Sequence, residues 1–89
     1  MMPKIGQILH YRLSADDVKS HKGKKSEAGN APQEGDVVPL IVTRAFEIEG
    51  GDGRKVAAVN GQAFLDNGHT ALVGTRCKGE DDGCWAWPD

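Results

Sequence analysis

The sequence predicts a mostly β protein: a small SH3-like barrel or a strongly curved antiparallel sheet of about five strands, with one short helix and loop inserted after the first. Three observations lead there. Apolar and polar residues alternate at period two in several short runs, where a helix would repeat at 3.6. The turn signals GGDG (50–53) and DNG (66–68) separate those runs at hairpin distance. Twelve glycines and four prolines in 89 residues punctuate the chain too often for long helices.

IGQILHYRL (5–13) is the first strand, with Ile5, Gln7, Leu9, Tyr11 and Leu13 on one face and Gly6, Ile8, His10 and Arg12 on the other. SADDVKSHKG follows as a helix of two turns at most. Ser14 is its N-cap, Asp17 stands at the capping-box position, and Gly23 stops it. Val18 is its one core contact. The stretch 24–34 is polar and aperiodic, a surface loop.

GDVVPLIVTRAFEIEG (35–50) is the most strand-like stretch. Val38, Leu40, Val42, Phe46 and Ile48 share one face; Val37 and Ile41, then Glu47 and Glu49, share the other. The first half is thus expected to be buried on both sides, with Pro39 marking an edge or a bulge. After GGDG, RKVAAVNGQAFLD returns with Val56, Ala58, Asn60, Gln62 and Phe64 on one face. Ala57, Val59, Gly61, Ala63 and Leu65 take the other, and Gly61 implies a bulge or a close backbone approach. TALVGTRC (70–77) is the next strand. CWAW, ended by Pro88, is the last, and it places Trp85 and Trp87 on one side. The whole is one domain, residues 1–89, with the helix and polar loop spanning 14–34.

Composition excludes several functions. A net charge of −2, from 11 basic and 13 acidic residues, is no footprint for duplex nucleic acid or an anionic membrane. No apolar run is long enough to span a bilayer, and MMPKIGQIL has no signal-peptide core, so an intracellular protein is expected. Cys77 and Cys84 are then free thiols. His10, His21 and His69 are scattered without metal-ligand spacing, so no metal or other cofactor is expected. Ser14, Ser20 and Ser26 lie in polar sequence without a nucleophile elbow. Asp81-Asp82 sits in a Gly-flanked loop that cannot hold acid/base geometry. No enzyme is expected. The thin core of so short a chain argues for a homo-oligomer.

The segments IGQILHYRLSADD, GNAPQEGDVVPLIVTRAF, VNGQAFLD and CWAWP, in that order, resemble a family of small proteins encoded by tailed bacteriophages and prophages, particularly those of actinobacteria. The likeness lies in an opening strand ending His-Tyr, a Gly-Asp entry to a Pro-interrupted apolar strand, a Val-Asn strand ending Leu-Asp, and a W-x-W-P-like finish. It covers most of the chain. It implies a phage origin and a compact β fold, and brings no catalytic residues. The chain departs from the family pattern in a shorter segment between Ser20 and Gly29, and in an acidic loop, Glu80-Asp81-Asp82, where Gly and Pro are usual.

The candidate ligand residues are Trp85, Trp87, Tyr11, Asn60, Gln62, Lys22 and Lys24. Indole faces stack on nucleobases, at about 1–3 kcal/mol per base. Asn60 and Gln62 would read a polar edge, and the KSHKGKK run would meet a phosphate. Each has a plainer reading: two core tryptophans, two amides pairing with backbone near Gly61, a solvated charge run. The expected function is a non-enzymatic, phage-encoded binding protein in the host cytoplasm that sequesters a nucleotide-type defence signal. The alternative is a protein–protein interaction module, either a minor virion component or an inhibitor of a host protein.

Overall fold

The computed structural model describes residues 2–21, 32–66 and 68–88. Its elements are β1 (Ile8–Arg12), α1 (Ala15–His21), β2 (Val37–Glu49), β3 (Lys55–Phe64), β4 (Thr70–Cys77) and β5 (Trp85–Ala86). All five strands pair antiparallel in one sheet of order β4-β3-β2-β1-β5. An isolated bridge joins Lys78 to Trp85, but no ladder connects β4 to β5. The sheet is therefore open, as in the second of the two expected architectures, and the barrel is not formed.

Register sorts the side chains, because directly opposed residues share a face. One row across the sheet is Leu9, Leu40, Ala63 and Ala71, and all four are buried. Tyr11, Val38 and Trp85 form the next row; Val42, Gly61 and Val73 form another. This inner face is the core, with Val18 of α1 and the half-buried Trp87 packed against it. Leu9, Tyr11 and Leu13 point inward as the alternation predicts. Ile5 does not: β1 begins only at Ile8, after a turn at Ile5-Gly6 with Gly6 at φ +88°, and Gln7 is half-buried opposite Val42.

Two bulges reset the alternation at one level of the sheet. In β2 the register shifts between Val42 and Arg44; in β4 it shifts opposite Val59 and Gly61, where Gly74 and Thr75 face Asn60 alone. An extra residue reverses which face the following side chains occupy. Phe46 and Ile48, expected beside Leu40 and Val42, are accordingly turned to the opposite face, and Ala45 points inward opposite Val59. Thr75 adopts φ +51°, and its N–H donates to Asn60 Oδ1 at 2.7 Å. Gly61 lies between the bulges, where an added Cβ would stand 2.4 Å from the Ile41 carbonyl oxygen. Of the two alternatives expected at Gly61, the close approach is present; the bulges lie in the neighbouring strands β2 and β4.

Pro39 is accommodated by register. Val42 N–H donates to Gln7 O and Leu13 N–H to Asp36 O, so the ladder from β1 reaches alternate residues and skips Pro39, which lies opposite His10. Its nitrogen faces the β3 side, where pairing stops at Leu40 and Ala63. The missing donor therefore breaks no bond.

The turns follow their signals. In the first hairpin Gly50 N–H donates to Arg54 O at 2.7 Å, with Gly53 at φ +82°. In the second, Leu65 N–H donates to His69 O at 2.9 Å, with Gly68 at φ +82°. Helix α1 opens on a reciprocal capping box: Asp17 N–H donates to Ser14 Oγ at 3.2 Å and Ser14 N–H to Asp17 Oδ2 at 2.8 Å. No helix among the described residues is long and apolar enough to cross a membrane.

Candidate functional site

The structure separates the predicted ligand residues. Trp85 is 1% exposed and Tyr11 is fully buried, both in the core. Trp87 is half-buried against that core, its ring edge-on to Trp85 with centroids 5.3 Å apart. The pair ties down β5 but offers no open stacking wall. A cleft of about 560 Å³ lined by Leu13, Asp36 and Leu65, and another of about 440 Å³ lined by His10, Arg12 and Cys84, hold neither indole. Asn60 is committed to the β4 bulge through the Thr75 N–H. Gln62 stands exposed on the outer face, across the sheet from the indoles. Lys22 and Lys24 lie outside the described residues.

One polar constellation sits at the margin of the core. The Tyr11 hydroxyl donates to Asp17 Oδ2 at 2.6 Å, and that oxygen also accepts from Ser14 Oγ at 2.8 Å. Because the β4 bulge turns Arg76 to the inner side, opposite Val59, its charge acts on the same carboxylate. Burial is the largest single influence on Asp17 and would raise it. The Tyr11 and Ser14 hydrogen bonds, with Arg76, together outweigh burial and hold the carboxyl below its ordinary value. Burial first, then the bond to Asp17, pushes the Tyr11 phenol well above its usual range. A tyrosine that donates to a carboxylate oxygen also bonded to Ser14 Oγ and Ser14 N–H is positioned for holding α1 on the sheet. Among the described residues no group of His, Cys, Asp and Glu could hold a metal ion.

The feature that stands out chemically is the outer face of the sheet. Its central row runs Ile8, Ile41, Gln62 and Leu72 across four strands. The next row places Ala86, His10 and Pro39 in line, with Phe64 and Thr70 continuing it on β3 and β4. Leu72 is 83% exposed, Ile8 and Val37 are each 53% exposed, and Phe64 is 40% exposed. Neither row contains a carboxylate or a lysine, in a chain that is 27% charged. Arg12, beside Val37 at the margin, is occupied with the Gly35 carbonyl at 3.4 Å. Charge enters at the margins, where Arg44 stands opposite Asn60 and Glu80 lines a cleft with His10, Arg12 and Val37; exposed apolar side chains grouped between such margins mark interaction sites on protein surfaces.

Sequence reasoning missed this face although its signal was legible. VVPLIV carries apolar residues at both parities, which predicts burial on both sides. Val37 is instead exposed, and Ile41 is only half-buried. The adjacent pair Leu72 and Val73 repeats the signal on β4, with Val73 inward and Leu72 outward. A strand apolar on both faces calls for cover on both; among the described residues the inner face is covered, while Ile8, Val37, Phe64 and Leu72 of the outer face stay exposed.

With this geometry in hand, comparison with protein-family models, with curated proteins and with solved structures finds no match.

Proposed function

We propose that this chain is a small non-enzymatic binding protein that acts by protein–protein contact through the outer face of its open sheet. The observation that carries the reading is the set of exposed apolar side chains on that face: Ile8, Phe64 and Leu72 in two rows that contain no carboxylate or lysine, and Val37 at their margin. Such a face is costly to leave in water unless a partner covers it, at roughly 25 cal/mol per Å² of apolar area. The family resemblance favours a phage setting, and with it a minor virion component or an inhibitor of a host protein. Sequestration of a nucleotide is the weaker reading, because its stacking groups Trp85 and Tyr11 lie in the core.

The test compares the wild-type chain with the double variant Ile8→Asp, Leu72→Asp. Gradient co-sedimentation with particles from infected cells should be lost in the variant while its circular dichroism stays that of the folded sheet. Equal behaviour of the two proteins would remove the face from the function. Native mass spectrometry of gently purified protein covers the other reading. A retained nucleotide mass on both proteins would replace protein contact with sequestration.

A further inference from the structure

The two cysteines stand where the edges of the sheet meet. Strands β4 and β5 are outermost in the order β4-β3-β2-β1-β5, and the isolated bridge from Lys78 to Trp85 links them. That bridge is parallel, with Gly79 N–H donating to Trp85 O at 3.0 Å. One residue back along each strand lie Cys77 and Cys84, so the bridge sets them side by side. Neighbouring strands run about 4.8 Å apart, inside the roughly 4.4–6.8 Å between Cα atoms that a disulfide spans. We infer that Cys77 and Cys84 form a reversible disulfide, a covalent latch that closes one end of the open sheet when the surroundings turn oxidising.

Both side chains are free thiols and half-buried, and each backbone is held from its own side. Cys77 pairs with Ala58 in the β3 ladder. Cys84 is fixed to β1 by a glycine bulge: Gly83 N–H donates to Arg12 O at 2.7 Å, Arg12 N–H donates to Cys84 O at 3.1 Å, and Gly83 takes φ +84°. The fold itself therefore closes the loop KGEDDG (78–83) before any bond forms. Alternation puts Gly79 on the face of Cys77, and a Cβ at Gly79 would stand 2.9 Å from Cys84 Sγ. The Cys84 sulfur thus lies toward that same face, in space that a glycine leaves free. Cys84 also lines the cleft of about 440 Å³ beside His10 and Arg12, which gives a small reagent access to it.

The oxidant is a low-molecular-weight disulfide. The Cys84 thiolate attacks one of its sulfurs, forming a mixed disulfide and releasing one small thiolate. The Cys77 thiolate then attacks Cys84 Sγ, forming the Cys77–Cys84 bond and releasing the second. The protein gives up two electrons and two protons; the small disulfide takes the electrons, and its two halves leave as thiols carrying the protons.

The experiment equilibrates the full chain with glutathione and its disulfide at graded ratios, native and in urea. Free thiols are then alkylated and the products read by intact and peptide mass spectrometry. The expected native product is one chain lighter by two hydrogens, unalkylated, with its Cys77 and Cys84 peptides joined. It should form on the order of 50-fold more favourably in the native protein than in urea, the gain that a ring of this size gives the folding equilibrium. Oxidation should raise the urea midpoint accordingly. Cys77→Ser should stop at the mixed disulfide on Cys84. A bond formed no more readily in the native protein than in urea would overturn the inference, because the fold would then not bring the sulfurs together. Native protein that ends with glutathione on both cysteines, or as disulfide-linked pairs of chains, would overturn it as well.

Discussion

Asp17 is the residue on which most of the local chemistry converges, and its behaviour with pH is open to measurement. Its carboxylate caps α1, accepts the Tyr11 phenol and feels Arg76. Its folded pKa lies below the ordinary value near 3.8. The stability this contributes is therefore fully present above that value and is lost as pH falls through the lower folded value. Tyr11 works at the other extreme. Its folded pKa lies above the ordinary value of 10.0, so its contribution is intact below pH 10 and declines as pH rises beyond it. Urea midpoints measured from pH 2 to 11 should fall at both ends. Asp17→Asn should flatten the acid limb and Tyr11→Phe the alkaline one. The phenylalanine variant should also lose about 2 kcal/mol at neutral pH, the magnitude of a hydrogen bond to a charged group. Unchanged limbs in both variants would show that other groups set the pH dependence.

At the scale of elements, the pair of bulges around Asn60 and Gly61 decides the architecture. They flank β3 on both sides, one in β2 and one in β4, and bulges bend and twist the strands that carry them. Gly61 permits the resulting close approach, since its Cα lies where a Cβ would overlap Ile41 O. Gly61→Ala should cost about 3 kcal/mol, at the upper end of overpacking effects. Gly51→Ala, with open space around it, should stay within about 0.5 kcal/mol; matched urea midpoints for the two would disprove the crowding at Gly61. Much of this level was legible in the sequence. The hairpin glycines, the Ser14–Asp17 cap and the inward set Leu9, Tyr11 and Leu13 follow from short-range rules and are where those rules place them. The phase reversal in β2 was not legible, because nothing in VTRAFEIE distinguishes a bulge from an unbroken strand. Phe46 and Ile48 were therefore grouped with the wrong neighbours. The candidate site failed for a related reason. Tryptophan at a chain end reads equally as wall or anchor, and only the pairing of Trp85 with Tyr11 settles its burial.

At the scale of the whole molecule, the described residues form a single sheet that buries its inner face and leaves Ile8, Val37, Phe64 and Leu72 of the outer face exposed. Its last strand is two residues long and is paired with β1 at His10 and Tyr11, with backbone bonds of Gly83 and Cys84 to Arg12 and of Gly79 to Trp85 beside it. Trp85 adds the largest buried side chain of the segment. Removing it by Trp85→Ala should cost about 3–5 kcal/mol, as for other buried aromatics, and should release the chain end together with the inner face it seals. Trp87→Ala, only half-buried, should cost well under half as much in the same denaturation series; equal losses would mean that both indoles are anchors of one kind. The edge-to-face arrangement of these two rings has a further use. Indole chromophores held 5.3 Å apart at an interplanar angle of 88° couple their excited states, which gives paired ultraviolet dichroic bands of opposite sign. The chain thus carries its own optical gauge at its final strand. If that signal melts before the amide bands do, the terminus opens ahead of the sheet; if both vanish together, the molecule unfolds as one cooperative unit.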